Sequence, residues 1–533
     1  MVDQPEALPR DIDALHALIR AERSALASAM AARDAAFAER DQLSVRNAKL
    51  EHILAEIRRA HFGRKSERIS DDQLALALED LEAALAKDEA KDDKADPALK
   101  LVRVHKRRTS RTLKFDHLPH EEVVIEPQSK ICPCCGGVLH VIGEDTSQRL
   151  DKIPAKIRVI VTRRPKYACR TCTDGVVQAP APPRLVEGGL PTEAFVADVI
   201  VSKYADHQPL YRQSQILARH DVPIERSTLA QWVGAGTAEL EALYNHLVRS
   251  LKSSAKLFAD ETRCPVLDPG RGKTKSGYLW AIARDDRPWG GTAPPAIAYS
   301  YAPGRGGEHA VTLVEGFAGV LQVDGYAVYK QLAGVKGLGN AVTLAFCWAH
   351  VRRKFYEIYV GGNAPIATEA LVRIRKLYAI EAEIRGGAPE VRRSQRQARS
   401  KPIVDALKPW LEESLAKISK GSKLAEAIRY GLNHWEGLIR FLDDGRIEID
   451  SNTVERSIRP IALTRKNALF AGHDMGAQNW AIAASLIETC KLNCVDPLAW
   501  MTDVLTKLVN LWPASRIEQL MPWAYVKPMR TGR

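Results

Sequence analysis

Four runs rich in apolar, β-branched and aromatic residues lie between positions 256 and 329, and they restrict this 533-residue chain more than any other feature. KLFADETRCPVL (256–267) reads as a strand with Asp260 in its middle. GYLWAIA (277–283) and AIAYSYA (296–302) read as two more strands, and a helical stretch follows over 308–315. VLQVDGYAVY (320–329) then reads as a strand that ends at Asp324 and turns at Gly325.

The order strand, strand, strand, helix, strand, with an acid on the first and the last, predicts a ribonuclease-H-like sheet in which those two strands are neighbours. A third carboxylate comes from DSNTVERSIRPIALTRKNALFAG (450–472). Asn452 is a good N-cap, Pro460 is expected to stop the helix within about two turns, and Arg456, Arg459, Arg465 and Lys466 surround Glu455 with positive charge. Locally, Asn452 and Glu455 also fit a capping box, in which the glutamate only accepts a backbone N–H. With Asp260 and Asp324, however, Glu455 completes a set of hard oxygen ligands suited to Mg²⁺. Two such ions about 4 Å apart clamp the attacking and leaving oxygens of an in-line phosphoryl displacement. Arg459, one helical turn beyond Glu455, and Lys466 are the residues expected to hold the scissile phosphate. Glu261 follows Asp260 and points to the opposite face of a regular strand, so the metal is assigned to Asp260.

Two CxxC pairs, Cys132 with Cys135 and Cys169 with Cys172, predict a closed four-thiolate Zn²⁺ site with a structural role. Cys134 offers alternative ligand pairs, but Gly136 and Gly137 favour Cys132 and Cys135 because glycines let the backbone wrap the metal. Cys347 and His350 form a lone CxxH, read as packing and hydrogen bonding near the site and not as a second zinc.

The remaining organisation follows from periodicity and charge. Leucines recur with broken heptads over 11–60, which predicts a helix with coiled-coil character. A charged linker and the basic run LVRVHKRRTSRTLK (101–114) come next; a solvated arm and an arm on DNA phosphates are both open readings. After the proline-rich hinge APAPPR (179–184), helical segments over 192–204, 209–219 and 227–235 have the layout of a helix-turn-helix. Ser227 is its expected third N-cap, and Arg226, Thr228 and Gln231 are placed to meet DNA. The 131 positions from Asp324 to Glu455 exceed what the sheet still needs, so a helical insertion lies between them. An amphipathic helix is expected over 480–511, with a tail in the last twenty residues. A formal net charge of +12 favours a polyanionic partner, nucleic acid first. Neither a signal sequence nor an apolar run of about 20 residues is visible, so no membrane association and a cytoplasmic place are expected.

Collectively, HFGRKSERIS, ICPCCGG, YACRTC, SKYADHQPLYRQ, RSTLAQWVG, ADET, VDGYAVY, CWAHVRRKF and NTVERSIRPIALTRKNALFAG resemble, in order, the blocks of transposases of the insertion sequence 66 family. The resemblance covers nearly the whole chain. It implies a multidomain α+β protein: an N-terminal helical or coiled-coil segment (1–70), a charged linker and basic arm (71–115), a zinc-binding domain (116–184) and a helix-turn-helix domain (185–250). A ribonuclease-H-like DDE catalytic domain (251–356 and 446–485), a helical insertion (357–445) and C-terminal helices with a tail (486–533) complete it. The implied cofactors are two Mg²⁺ or Mn²⁺ ions on Asp260, Asp324 and Glu455, with one structural Zn²⁺. The implied activity is cleavage at terminal inverted repeats and transfer of the freed 3′-hydroxyl to target DNA. It would be carried out near the bacterial nucleoid by a homo-oligomer, with small companion proteins of the same element as further partners. A non-cleaving DNA-binding regulator and a nuclease without strand transfer are the rival readings.

Overall fold

The computed structural model describes residues 157–168, 176–268, 270–332, 342–362 and 364–526, all within the second of the chain's two units (94–533). The expected N-terminal helix, the linker, the basic arm and the four zinc cysteines lie outside the described residues. Of the zinc region, β1 (Lys166–Ala168) and β2 (Val176–Gln178) form an antiparallel pair, and the segment that joins them carries Cys169 and Cys172.

Three helices follow: α1 (Glu193–Tyr204), capped by the Thr192 hydroxyl, α2 (Leu210–Ala218) and α3 (Arg226–Lys252). The third differs from the expectation. Its N-cap is Glu225 and not Ser227, and it continues to Lys252 because Leu240, Leu243, Leu247 and Leu251 extend its buried stripe. Those leucines belong to the same core as the sheet, so the boundary expected at 250 falls inside a helix.

The sheet is built from β3 (Lys256–Asp268), β4 (Lys273–Arg284), β5 (Ala296–Ala302), β6 (Gly319–Val323) and β7 (Val342–Phe346), with α4 (Gly307–Val314) before β6 and α5 (Ala327–Leu332) after it. Its order is β5-β4-β3-β6-β7. β3 and β5 flank β4 antiparallel, whereas β3, β6 and β7 run parallel. The acid-bearing strands β3 and β6 are therefore neighbours.

Beyond β7 come α6 (Trp348–Val360), α7 (Pro365–Ile384), α8 (Pro389–Gln395), a π-helical turn (Arg396–Ser400), α9 (Lys401–Ala416), α10 (Lys423–Asn433) and α11 (Trp435–Ile439). Their apolar faces make a second core around Trp348, Phe355, Leu377, Leu407, Ile428 and Phe441. The insertion is also fastened by buried charge. Glu381 accepts from Arg396 Nη2 at 2.7 Å and lies 3.3 Å from Arg392, which in turn lies 2.8 Å from Glu448. Both arginines are almost completely buried.

The chain then returns to the sheet through α12 (Asn452–Ala468), α13 (Asp474–Leu492) and α14 (Pro497–Val509). Pro460 does not stop α12. Val454, Ile458 and Ile461 recur at helical spacing and are buried against β3 and β4, and this packing carries the helix across the missing N–H. The single helix expected over 480–511 is two helices, divided where the Asp496 side chain caps α14. The first, α13, is buried along most of its length and covers the edge of β5. Ser485 Oγ accepts from Tyr299 N at 2.8 Å, and Thr489 Oγ1 accepts from Ile297 N at 3.2 Å. These side chains occupy donors that an open edge strand would expose. The expected tail is docked as far as Tyr525: Leu520 and Met521 are buried, and Trp500 Nε1 donates to Leu520 O at 2.9 Å. No described helix is long and apolar enough to cross a membrane.

Candidate active site

The register between β3 and β6 aligns Lys256 with Val320 and Phe258 with Gln322. Asp260 lies two residues beyond the last paired position of β3, and Asp324 two residues beyond that of β6. Period-two alternation gives Asp260 and Glu261 opposite faces of β3. Glu261 is taken up by Arg305, whose Nε donates to Oε1 at 2.7 Å, and by the Tyr329 hydroxyl, which donates to Oε2 at 2.8 Å. Arg305 in turn lies over the Tyr326 ring, 3.9 Å from its centroid.

Asp324 follows the last residue of β6, and its Oδ1 accepts from Tyr326 N at 2.9 Å, a local Asx turn. Gly325 at the centre of that turn has no room for a side chain, because a Cβ would collide with the Tyr430 hydroxyl of α10. His434 Nε2 lies 3.3 Å from Gly325 O. The insertion thus closes over the Asp324 turn.

Glu455 sits in the first turn of α12 and is buried. What places it is Gln322, fully buried on β6 two residues before Asp324. Its Nε2 donates to Glu448 O at 2.8 Å and Asp450 O at 3.2 Å, and its Oε1 accepts from Glu448 N at 3.0 Å. Trp348 N, at the start of α6, donates to Ile449 O at 3.0 Å. The segment that leads into α12 is therefore held between a strand and a helix before Glu455 begins.

The capping-box geometry is absent among these residues. Ser451 and not Asn452 is the N-cap, and its N–H donates to Cys347 Sγ at 3.2 Å. Asn452 N donates to Asp450 Oδ1 at 3.2 Å. Those backbone donors are engaged elsewhere, and Glu455 Oε1 accepts from the Ser451 hydroxyl at 3.0 Å.

The acids differ in their electrostatic surroundings. Burial, and then the charges of Glu261, Glu455 and Asp324, push the Asp260 carboxyl well above the usual carboxylate range. Burial pushes Asp450 up to about 6, against the Asn452 N–H that favours its charged form. Arg305 answers Glu261, whereas Asp260 and Glu455 accept from neutral donors, Glu261 N at 2.8 Å and the Ser451 hydroxyl. The oxygen donors of Asp260, Asp324 and Glu455 are of the kind that hard divalent cations take.

Of the two expected phosphate ligands, Arg459 lies one turn from Glu455 on the same face of α12. Lys466, exposed and eleven residues on, is about 16 Å further along the axis at 1.5 Å per residue, so the helix does not bring it to the acids. Arg465 instead ties α12 to β3, its Nη1 donating to Thr262 Oγ1 at 3.2 Å and to Arg263 O at 2.5 Å. The far end of α12 meets the turn between α1 and α2, where His207 Nδ1 lies 2.8 Å from Thr464 Oγ1 and His207 O accepts from Asn467 at 3.0 Å. At the start of α3, Arg226, Ser227 and Gln231 are exposed and Thr228 is half-buried.

Sequence reasoning missed Ser451, Gln322, Asp450 and the Arg305–Tyr329 buttress. No local pattern announces them, since each acts on a residue far away in the chain or on a neighbour whose conformation only the fold defines. Cys347 and His350 had a signal, the CxxH spacing, but half of one. The structure adds Glu455, so that ligand atoms of all three lie within 4.8 Å of one another.

Comparison with known proteins covers most of the chain. Residues 188–479, which hold all three acids, match the family model described as "Transposase IS66 family". Residues 129–173, which include the four cysteines expected to hold zinc, match the "zinc-finger binding domain of transposase IS66". Residues 485–523 match the "IS66 C-terminal element", and 49–123 match "Transposase C of IS166 homeodomain". Among similar proteins, "Uncharacterized protein y4qI" of Sinorhizobium fredii (strain NBRC 101917 / NGR234) is 46% identical over 98% of this chain and 99% of its own length. "Uncharacterized protein y4jD" of the same strain is 45% identical over 91% and 96%, and "Uncharacterized protein y4hP" is 38% identical over 89% and 88%.

Proposed function

This chain belongs to the IS66 transposase family, and from that membership we propose that it cuts DNA at the terminal inverted repeats of an insertion element and joins the freed 3′-hydroxyl to target DNA. What supports this reading is that Asp260 lies on β3, Asp324 directly follows the parallel neighbour β6, and Glu455 is in the first turn of α12, which packs against β3. The strand order, with the first and fourth strands of the sheet adjacent and parallel and the second antiparallel, supports a ribonuclease-H-like catalytic domain.

Asp260, Asp324 and Glu455 would hold two divalent ions, Mg²⁺ or Mn²⁺, which when bound supply Lewis acidity for in-line displacement at phosphorus. The chain's own residues do the positioning. The Ser451 hydroxyl fixes the Glu455 carboxylate, the turn at Gly325 fixes Asp324, and Arg459 reaches the phosphate from the same helix face. Arg226, Ser227, Thr228 and Gln231 at the head of α3 meet the DNA, with the basic arm of 101–114 on its backbone. Lys466 engages a phosphate further along the duplex. Cys132, Cys135, Cys169 and Cys172 would hold a structural Zn²⁺. Pairing of two element ends calls for more than one copy of the chain, with companion proteins of the element assisting. The nucleoid is where such a protein works.

The test is a labelled duplex that carries the element's own terminal repeat, incubated with protein and Mg²⁺. Cleavage followed by joining to a second duplex supports the proposal. Binding without either identifies a regulator, and cleavage without joining a nuclease.

A further inference from the structure

The geometry points to a further metal site, formed by Cys347, His350 and Glu455 and suited to Zn²⁺. It stands on ligand atoms and not on the phosphoryl-transfer reading, and it would hold if the three acids never cut DNA.

Cys347 is the N-cap residue of α6, buried just beyond the end of β7, and His350 is three residues on, so both side chains leave the same side of the first turn. Glu455 comes from the first turn of α12, brought alongside by the backbone bond from Trp348 to Ile449. The three ligand atoms lie within 4.8 Å of one another, and His350 Nδ1 is 3.7 Å from Glu455 Oε1. A tetrahedral ion with bonds of about 2.0–2.3 Å requires ligand atoms about 3.3–3.8 Å apart, so the pocket needs only a small closure.

A second observation is independent of the clustering. His350 Nδ1 is buried and has no hydrogen-bond partner among the described residues. A buried polar atom left unsatisfied is unfavourable, and an ion at this point would satisfy it. The two other ligands already carry the outer hydrogen bonds that orient metal-binding groups: Cys347 Sγ accepts from Ser451 N at 3.2 Å, and Glu455 Oε1 accepts from Ser451 Oγ at 3.0 Å. One residue, Ser451, thus aims both.

The donor set selects the ion. A thiolate with an imidazole disfavours Mg²⁺ and Ca²⁺ and suits Zn²⁺, and three protein ligands leave a fourth position open. Because Glu455 is also one of the three acids of the proposed catalytic set, an ion here would bind a carboxylate that the set also uses.

Metal content of the full chain, dialysed after zinc loading, tests the site without any activity measurement. Wild type is expected to hold one more zinc per chain than Cys347→Ser and than His350→Gln, both outside the set of three acids. Zinc-edge X-ray absorption on wild type covers the case in which a variant does not fold. One four-thiolate site plus this one averages about 2.5 sulfur ligands per zinc, whereas the four-thiolate site alone gives about four. Equal zinc in wild type and folded variants, or an average near four, would overturn the assignment.

Discussion

The hydroxyl of Ser451 donates to Oε1 of Glu455 at 3.0 Å, so the residue at the N-cap position of α12 uses its side chain to aim the carboxylate one turn inside the helix and not to cap a backbone N–H. A glutamate that merely capped the helix would accept from the backbone N–H groups that are instead bonded to Cys347 and Asp450. Replacement Ser451→Ala removes that one hydrogen bond and is therefore expected to cost only about 1 kcal/mol of stability but to slow DNA joining roughly 10-fold or more, through lost orientation. Ser451→Thr keeps the hydroxyl and should restore most of the rate. Equal rates for wild type and Ser451→Ala in a single-turnover assay would remove this role.

Gln322 carries the same logic one layer further from the acids. With Gln322→Leu, Glu448 and Asp450 lose three hydrogen bonds inside the core, at roughly 1–3 kcal/mol for each group left unpaired. Urea unfolding should show a loss of at least about 2 kcal/mol. A change under about 0.5 kcal/mol would mean that the segment before α12 holds its place without the strand.

Glu381 is the anion between two buried arginines. Replacement Glu381→Ala leaves Arg396 without its carboxylate and Arg392 with Glu448 alone, and breaking a buried pair in this way costs roughly 3–5 kcal/mol. Thermal unfolding should lose stability on that scale. A near-neutral result would show that water reaches the arginines.

Lys256 gives the chain a pH signature. Its Nζ is buried, has no hydrogen-bond partner among the described residues, and lies 4.4 Å from the centroid of the Phe258 ring. Burial lowers its pKa to about 8, against the nearby charges of Glu448, Asp286 and Asp285, from an ordinary value of 10.5. The folded state therefore binds fewer protons than the unfolded state between about 8 and 10.5. In that window this lysine makes stability rise with pH, by up to roughly 3 kcal/mol, while below pH 8 its full penalty applies. Urea melts from pH 7 to 10 should show a flatter curve for Lys256→Met than for wild type. Parallel curves would contradict the assignment.

The sheet and its acids were legible in sequence because each strand is a short apolar run with clear ends, and because Asp260 and Asp324 lie within or just after such runs. Helix ends were less legible. Local signals predict a stop at Pro460 and an end of α3 near 235, and tertiary burial of Val454, Ile458 and Ile461, or of Leu240, Leu243, Leu247 and Leu251, outweighs them. The docked C-terminus was invisible for a similar reason: its anchors are Leu520 and Met521 in a short irregular stretch whose burial depends on Trp500 and its neighbours. At the site, the carboxylates could be read because their chemistry demands a type of residue. Their supports could not, because a serine or a glutamine has that role only in one three-dimensional setting.

The most direct measurement of the central claim compares wild type and Glu455→Gln for Mg²⁺-dependent cleavage and joining of a duplex that bears the element's terminal repeat. The account predicts that the amide variant binds the duplex within about twofold of wild type and loses cleavage and joining by roughly 10³-fold or more, since an isosteric amide keeps the fold but removes an anionic ligand. Retention of joining within about tenfold of wild type would contradict it and return Glu455 to a structural role.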